Sequence, residues 1–222
     1  RIVEGDGNGP LNKIITINEF KENNLTKKDE NLILSKLKTK ISNFDLVIAQ
    51  DFGHGLFTDK IINLIQKRAK ILSINVQTNS INYGYNIIDK KFGKTDIFSL
   101  DERELQLVFG KKRLNYKKSL KKLSKTLSAK KGFLTCGGKF SLLYSKNKFM
   151  EVPILNKKAL DTMGAGDIFH GMASVISSVS NDDHLNLFIS QIAGAHAVEI
   201  IGNSDFPKFN QIINTLRFYK KI

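Results

Sequence analysis

A chain of 222 residues is long enough for one domain with a full hydrophobic core and too short for two large ones. Its apolar stretches are all shorter than the ~18 to 20 residues of a membrane-spanning helix, so we expect no membrane partner. Its single cysteine, Cys136, excludes an internal disulfide framework and is typical of a reducing cytoplasm. Lysine and arginine number 35 against 21 acidic residues, a net charge of +14, so a nucleic-acid partner has to be weighed.

The chain opens with two strand-like pieces, at residues 1–4 and 13–17, which the turn-forming residues 5–10 separate. A helix start is predicted at Thr26, because Asp29 follows it three residues later. We therefore expect a short antiparallel unit followed by the first helix.

Short apolar runs typical of buried strands follow at residues 45–49 and 71–76, and Thr58 predicts the start of a helix between them. Another strand is predicted at residues 96–100, and a helix is predicted to start at Asp101. Strands and helices thus alternate through the first half of the chain.

Much of the positive charge lies in residues 111–131, which hold ten basic side chains and no acidic one. Leucines recur there at helical spacing, at positions 120, 123 and 127, which predicts an amphipathic helix with a basic outer face. A nucleic-acid site is the alternative. We favour the solvated face, since the run lacks interleaved aromatic residues and any recognised binding motif.

The remaining strands are predicted at residues 132–135, 140–145 and 148–152, the last two as a hairpin. Helices are predicted from Ala165 onward, over about 183–201 and 206–219. Strands alternating with helices indicate an α/β fold, a doubly wound and mostly parallel sheet with an antiparallel edge, in a single domain.

Several polar segments follow predicted strands directly, at residues 51–55, 75–77, 101–104 and 137–138. In open α/β sheets, ligands bind at the carboxyl ends of the strands. We therefore expect these segments to converge in one cleft with the loop at residues 161–167. Two other nucleotide-binding patterns are excluded: Asp-Phe-Gly at 51–53 lacks the companion protein-kinase motifs, and no GxxxxGK[ST] sequence occurs.

The segment Asp-Thr-Met-Gly-Ala-Gly-Asp at residues 161–167 leads directly into an apolar run. A small-residue loop before a helix leaves the first backbone N–H groups free for an anion such as phosphate. Asp167 would repel that phosphate, so its use there would be to accept a proton from an attacking hydroxyl. The structural alternative is that Asp167 only caps the helix and that the glycines only form a turn.

This segment resembles the DTxGAGD signature of the ribokinase-like (PfkB) carbohydrate kinases, with Met163 at the variable position. The resemblance implies a ribokinase-like fold and an enzyme that transfers a phosphoryl group from ATP to a hydroxyl of a sugar or sugar phosphate. It implies Asp167 as the general base. It also implies an anion hole for the developing charge, made by Gly164, Ala165 and Gly166.

The same resemblance suggests two cation sites. Asp101 and Glu104 fall where the family has its NxxE motif, which helps to hold Mg²⁺, largely through water. An ordinary capping box is the structural alternative, and both roles can hold; given the resemblance we favour the metal-binding role. A monovalent cation, K⁺, would bind mostly through backbone oxygens, at Asp161, Met163, Ala197, Ile200 and Gly202.

The nucleotide would lie against two further segments. Thr135, Gly137 and Gly138 resemble the TxG segment that lines the phosphates and ribose, although Phe140 stands where a glycine is usual. Gln191 opens a helix-and-loop segment, residues 191–202, that resembles the one beside the adenine. A plain hairpin turn and close helix packing are the structural alternatives.

Residues 51–55 resemble the D[YF]GxG loop of the heptose-phosphate kinase branch, with His54 where lysine is frequent and residues 75–77 where Asp-Pro-Lys is usual. The family likeness starts near residue 45, and residues 1–19 resemble the end of a β-lid. We therefore expect an N-terminally truncated kinase domain, whose full-length form pairs as a homodimer, and expect residues 1–222 to bind nucleotide without turning over a sugar. The competing functions are a non-catalytic nucleotide- or phosphosugar-binding module of a larger fusion protein and a basic RNA-associated protein.

Overall fold

The computed structural model describes residues 2–4, 12–15, 17, 25–79, 82–156, 158–202 and 204–219. Two short strands, β1 (Ile2–Glu4) and β2 (Asn12–Ile15), pair antiparallel and form a small sheet of their own. Both predicted N-terminal strands are thus confirmed, whereas the predicted turn at residues 5–10 lies outside the described residues.

Six strands form the main sheet, and their order across the sheet is their order along the chain. They are β3 (Val47–Asp51), β4 (Leu72–Val76), β5 (Ile97–Asp101), β6 (Lys131–Thr135), β7 (Phe140–Ser145) and β8 (Lys148–Pro153). The first four run parallel, and the last two add an antiparallel hairpin at one edge. The predicted mostly parallel sheet with an antiparallel edge is confirmed.

Helices cover both faces of this sheet. Those that the structure describes are α1 (Lys27–Lys40), α2 (Asp59–Arg68), α3 (Ile88–Lys91), α4 (Glu102–Phe109), α5 (Tyr116–Thr126), α6 (Ala165–Val179), α7 (Asp183–Ala197) and α8 (Phe209–Tyr219). In the described part of the chain, no helix is both long and apolar enough to pass through a membrane.

Alternation of side chains along the strands builds two separate cores. On one face, Ile74 and Phe98 pack against the helices that follow the parallel strands, α2, α4 and α5. On the other face, Ile97 and Phe133 pack against α6 and α7. The three leucines of the predicted stripe, two in α5 and Leu127 at its C-terminal end, are buried. Lysines such as Lys118 are exposed, so the predicted basic outer face is confirmed.

Two helices are shorter than predicted, one at its end and one at its start. Helix α7 ends at Ala197, four residues before the predicted end, and the carbonyl of Val198 accepts hydrogen bonds from the N–H groups of Leu160 and Asp161. Helix α8 starts at Phe209 and not at the predicted Phe206, where the following Pro207 disfavours helical backbone. The first correction bears on the site, since these hydrogen bonds join the end of α7 to the loop before α6.

The parallel register places the strand ends side by side. Asp51 pairs with Val76 across β3 and β4, and Asp101 pairs with Thr135 across β5 and β6. The segments after these four residues therefore meet at one edge of the sheet, facing the N-terminus of α6.

Candidate active site

The N-terminus of α6 is open to a ligand. Gly164 precedes it with a left-handed backbone, φ +74°, a conformation that glycine adopts without strain. The N–H of Ala165 makes a long contact, 3.4 Å, with the carbonyl of Thr162. The N–H groups of Gly166 and Asp167 have no acceptor within the part of the chain that the structure describes. Free donors at a positive helix end are suited to binding an anion.

Asp161 braces the loop that precedes this helix. Its carboxylate is buried, at 6% exposure, and accepts hydrogen bonds from the N–H groups of Met163 (3.1 Å) and Gly202 (3.0 Å). The structure thus brings together three of the five residues predicted to bind K⁺. The other two, Ala197 and Ile200, lie in the same turn, where the N–H of Ile200 donates to the carbonyl of Ala197.

Asp167 lies in the first turn of α6 and is half-buried. Its carboxylate Oδ1 accepts a hydrogen bond from the side-chain amide of Gln77, and its main-chain carbonyl accepts one from the amide of Gln50 at 3.2 Å. Burial raises the pKa of Asp167 above its ordinary value, and the hydrogen bond from Gln77 opposes that rise.

Asp101 and Glu104 form the predicted capping box at the start of α4. Each carboxylate accepts the main-chain N–H of the other residue, at 2.7 and 2.9 Å, and Glu104 also accepts the N–H of Thr78 at 3.0 Å. Burial, followed by the nearby negative charges of Asp101 and Asp167, raises the pKa of Glu104 to about 7. The structural role of the pair is therefore confirmed, while its metal-binding role stays a prediction.

A cavity of about 380 Å³ joins these features. The residues that line it come from the strand ends, the start of α4 and the loop before α6: Phe52, Asn75, Gln77, Thr78, Ser99, Leu100, Asp101, Glu104, Thr135, Thr162, Met163, Gly164, Gly166, Asp167 and Phe169. The carboxylate of Asp167 and the free N–H groups of α6 thus share one polar space.

A second cavity of about 620 Å³ adjoins the first, since Asp101, Thr135, Thr162, Gly166 and Phe169 line both. Its other lining residues include the remaining positions predicted to bind nucleotide, Gly137, Gly138 and Gln191. The side chain of Gln191 is held by the Ser141 hydroxyl, which donates to it at 2.5 Å. Because Gly166 lines both cavities, it lies at the boundary between them.

The loop at residues 51–55 enters this cleft only through Phe52. Asp51 is buried at 2% exposure, forms an ion pair with Lys91 and accepts the N–H of Gly53 at 2.9 Å. Convergence is thus confirmed for segments 75–77, 101–104 and 137–138, whereas the Asp51 side chain serves to hold its own loop.

Sequence reasoning placed Gln77 and Thr162 in segments of the cleft without giving either a role, and it did not predict that Gln50 and Gln77 contact Asp167. A signal existed for the glutamines, because Gln50 and Gln77 belong to the carboxyl ends of neighbouring predicted strands. Among the described residues, no cluster of three or more histidine, cysteine, aspartate or glutamate side chains is arranged to hold a metal ion.

His170, one turn beyond Asp167, fixes α6 to the sheet. It is fully buried, and its Nδ1 lies 2.8 Å from the Ser99 hydroxyl, while its Nε2 lies 3.5 Å from the hydroxyls of Ser73 and Ser174. Burial lowers the pKa of His170 to about 3. The imidazole is therefore neutral in the folded protein at physiological pH.

We expect this histidine to make stability depend on pH. Between pH 6.5 and about 3 the unfolded chain binds a proton at His170 that the folded chain does not, so stability is full above pH 6.5 and falls as the pH is lowered. The contribution to the slope is at most about 1.4 kcal/mol per pH unit. In urea titrations from pH 4.5 to 7.5, His170→Asn should be less stable than wild type at pH 7.5, with a difference that narrows towards pH 4.5. A constant difference would contradict this, and the exposed His184→Asn is the matched control.

Comparison with known proteins gives a family match. A family model described as pfkB family carbohydrate kinase matches residues 7–186. The bifunctional protein HldE of Campylobacter curvus is 23% identical over 192 residues, which are 85% of this chain.

Solved structures agree in fold. Phosphofructokinase-2 of Escherichia coli, in complex with potassium, superposes with a TM-score of 0.73 at 13% identity, over 89% of this chain. The ribokinase of Arabidopsis thaliana, complexed with ribose and ATP, superposes with a TM-score of 0.66 at 19% identity, over 88% of this chain. The chain spans 40% of the length of HldE, 64% of the phosphofructokinase and 60% of the ribokinase. At these identities the structural likeness establishes the ribokinase-like fold.

Proposed function

The chain belongs to the pfkB family of carbohydrate kinases, and on that premise we propose that it transfers the γ-phosphoryl group of ATP to a hydroxyl of a sugar or sugar phosphate. The observation that carries this proposal is the shared cavity at the start of α6. There, free N–H groups suited to a phosphate lie beside the carboxylate of Asp167, which is suited to accepting a proton.

In this mechanism Asp167 accepts the proton of the acceptor hydroxyl. The hydroxyl oxygen forms a bond to the γ-phosphorus while the bond between that phosphorus and the β–γ bridging oxygen breaks, and ADP leaves. The backbone around Gly164, Ala165 and Gly166 stabilises the negative charge that develops on the transferred group. Thr135, Gly137, Gly138 and Gln191 hold the nucleotide in the adjoining cavity.

Mg²⁺ would neutralise phosphate charge in this reaction, and Asp101 and Glu104 are the residues that would hold it. Both oxygens of Glu104 already accept backbone N–H groups. A carboxylate has about four lone-pair sites, so Glu104 keeps acceptor capacity for water bound to the ion. Asp101 is exposed and lines both cavities, so its carboxylate would be accessible to a hard cation.

We further propose that Asp161, Met163, Ala197, Ile200 and Gly202 surround K⁺, in line with the potassium complex of the Escherichia coli phosphofructokinase. The hydrogen bond that the N–H of Gly202 donates to the carboxylate of Asp161 supports this grouping. Residues 1–222 would then form one kinase domain, with the small β1–β2 sheet as part of a lid over the acceptor.

The test has two readouts. Calorimetry on this chain should detect binding of ATP with Mg²⁺. The intact protein should release ADP only in the presence of one member of a panel of sugars and sugar phosphates. This turnover should be lost when EDTA removes Mg²⁺. Nucleotide binding without ADP release in the presence of any acceptor would favour a non-catalytic binding module. Absence of nucleotide binding would overturn the proposal.

A further inference from the structure

We infer that Gln77 is a positioning residue for Asp167, whose amide holds one carboxylate oxygen and leaves the other for the acceptor hydroxyl. This inference rests on the proposed role of Asp167 as the base. Gln77 belongs to the loop after β4, 90 residues away along the chain, and it stands where the heptose-phosphate kinase branch usually has lysine.

The contact is specific to one carboxylate oxygen. The Gln77 amide donates to Oδ1 of Asp167, and within the described residues Oδ2 has no hydrogen-bond partner. Both residues line the smaller cavity. Because an amide donates without carrying charge, it orients the carboxylate and leaves its charge intact.

The main chain of Gln77 is itself fixed by three hydrogen bonds. Its N–H donates to the carbonyl of Asp51 at 2.9 Å, and its carbonyl accepts the side-chain amides of Asn86 (3.0 Å) and Asn82 (3.4 Å). Both asparagines are buried. A donor held in this way loses little further freedom when it binds a carboxylate, which is what a positioning role requires.

The surroundings of Asp167 make such a donor necessary. Burial favours the neutral acid, and Asp167 interacts electrostatically with Glu104 at the start of α4. On its own helix, the next titratable group is the neutral, buried His170. The Gln77 amide is the contact that favours the ionised form, and an ionised Asp167 is the form able to accept a proton.

The experiment is a titration of side-chain carboxyl groups by ¹³C NMR in metal-free buffer. The Asp167 signal is assigned by its loss in Asp167→Asn, and the Glu104 signal by its loss in Glu104→Gln. Gln77→Leu removes the donor, and Gln77→Asn retracts it by one methylene group while keeping the site polar. Gln50→Leu is the matched control, because Gln50 donates to the main-chain carbonyl of Asp167 and not to its carboxylate.

We expect the titration midpoint of Asp167 to rise by about one pH unit, a tenfold gain in proton affinity, in both Gln77 variants, and to stay unchanged in Gln50→Leu. If Gln77→Leu fails to fold, Gln77→Asn gives the answer alone. An unchanged midpoint in the Gln77 variants, or an equal rise in Gln50→Leu, would overturn the inference. The titration needs no turnover, so this outcome is separate from failure of Asp167 as the base, which kinetics of Asp167→Asn reports.

Discussion

Replacing Asp167 by asparagine should lower kcat of the intact protein by about 10² to 10⁴, the usual contribution of a positioned general base. Asparagine has nearly the same shape, and its carbonyl oxygen can accept the hydrogen bond that the Gln77 amide now donates to the carboxylate. It cannot take up the proton of an acceptor hydroxyl. Since the free N–H groups at the start of α6 remain, the Kd for ATP should stay close to that of the wild type.

A matched variant separates catalysis from helix capping. Asp182 caps α7, where its carboxylate accepts the N–H of Leu185 at 3.0 Å, and it lines neither cavity of the site. Asp182→Asn should therefore leave kcat unchanged and alter Tm only slightly. If Asp167→Asn also turns over at close to the wild-type rate, Asp167 is merely a first-turn carboxylate of α6 and the catalytic assignment is wrong.

Local signals were sufficient for most of the architecture. Thr26, Thr58 and Asp101 cap helices as predicted, because a short polar side chain that accepts a first-turn N–H leaves the same signature in any sequence. Strand existence followed from short apolar runs, and parallel pairing followed from their alternation with helices. These features depend on residues close together along the chain.

Contacts between distant segments could not be predicted in the same way. Asp51 opens a segment that was predicted to line the cleft, yet the structure pairs its side chain with Lys91, forty residues later in the chain. The partnership of Gln77 with Asp167 likewise depends on how the loop after β4 meets α6, which no local pattern records. Motif spacing located the cleft, while the partner of each carboxylate depended on tertiary packing.

Gly166→Ala should weaken ATP binding while making the fold slightly more stable. A Cβ atom at Gly166 meets no protein atom within 4 Å, and alanine is favoured over glycine in a helix by up to about 1 kcal/mol. The added methyl group stands instead at the boundary of the two cavities, where it keeps a phosphate from the backbone N–H groups. Loss of one or two charge-assisted hydrogen bonds, about 1.5 to 3 kcal/mol each, corresponds to a rise in Kd of at least tenfold.

Gly171→Ala is the control for that experiment, because Gly171 also lies in α6 with no protein atom within 4 Å of its added Cβ, yet it lines neither cavity. Both variants should raise Tm, by about 2 to 4 °C if the full 1 kcal/mol of helix propensity is gained. Only Gly166→Ala should weaken ATP binding in calorimetry. Equal affinity in the two variants would mean that the phosphates bind away from the start of α6. A phosphate bound at that helix end would contact the added methyl group, and its affinity would fall.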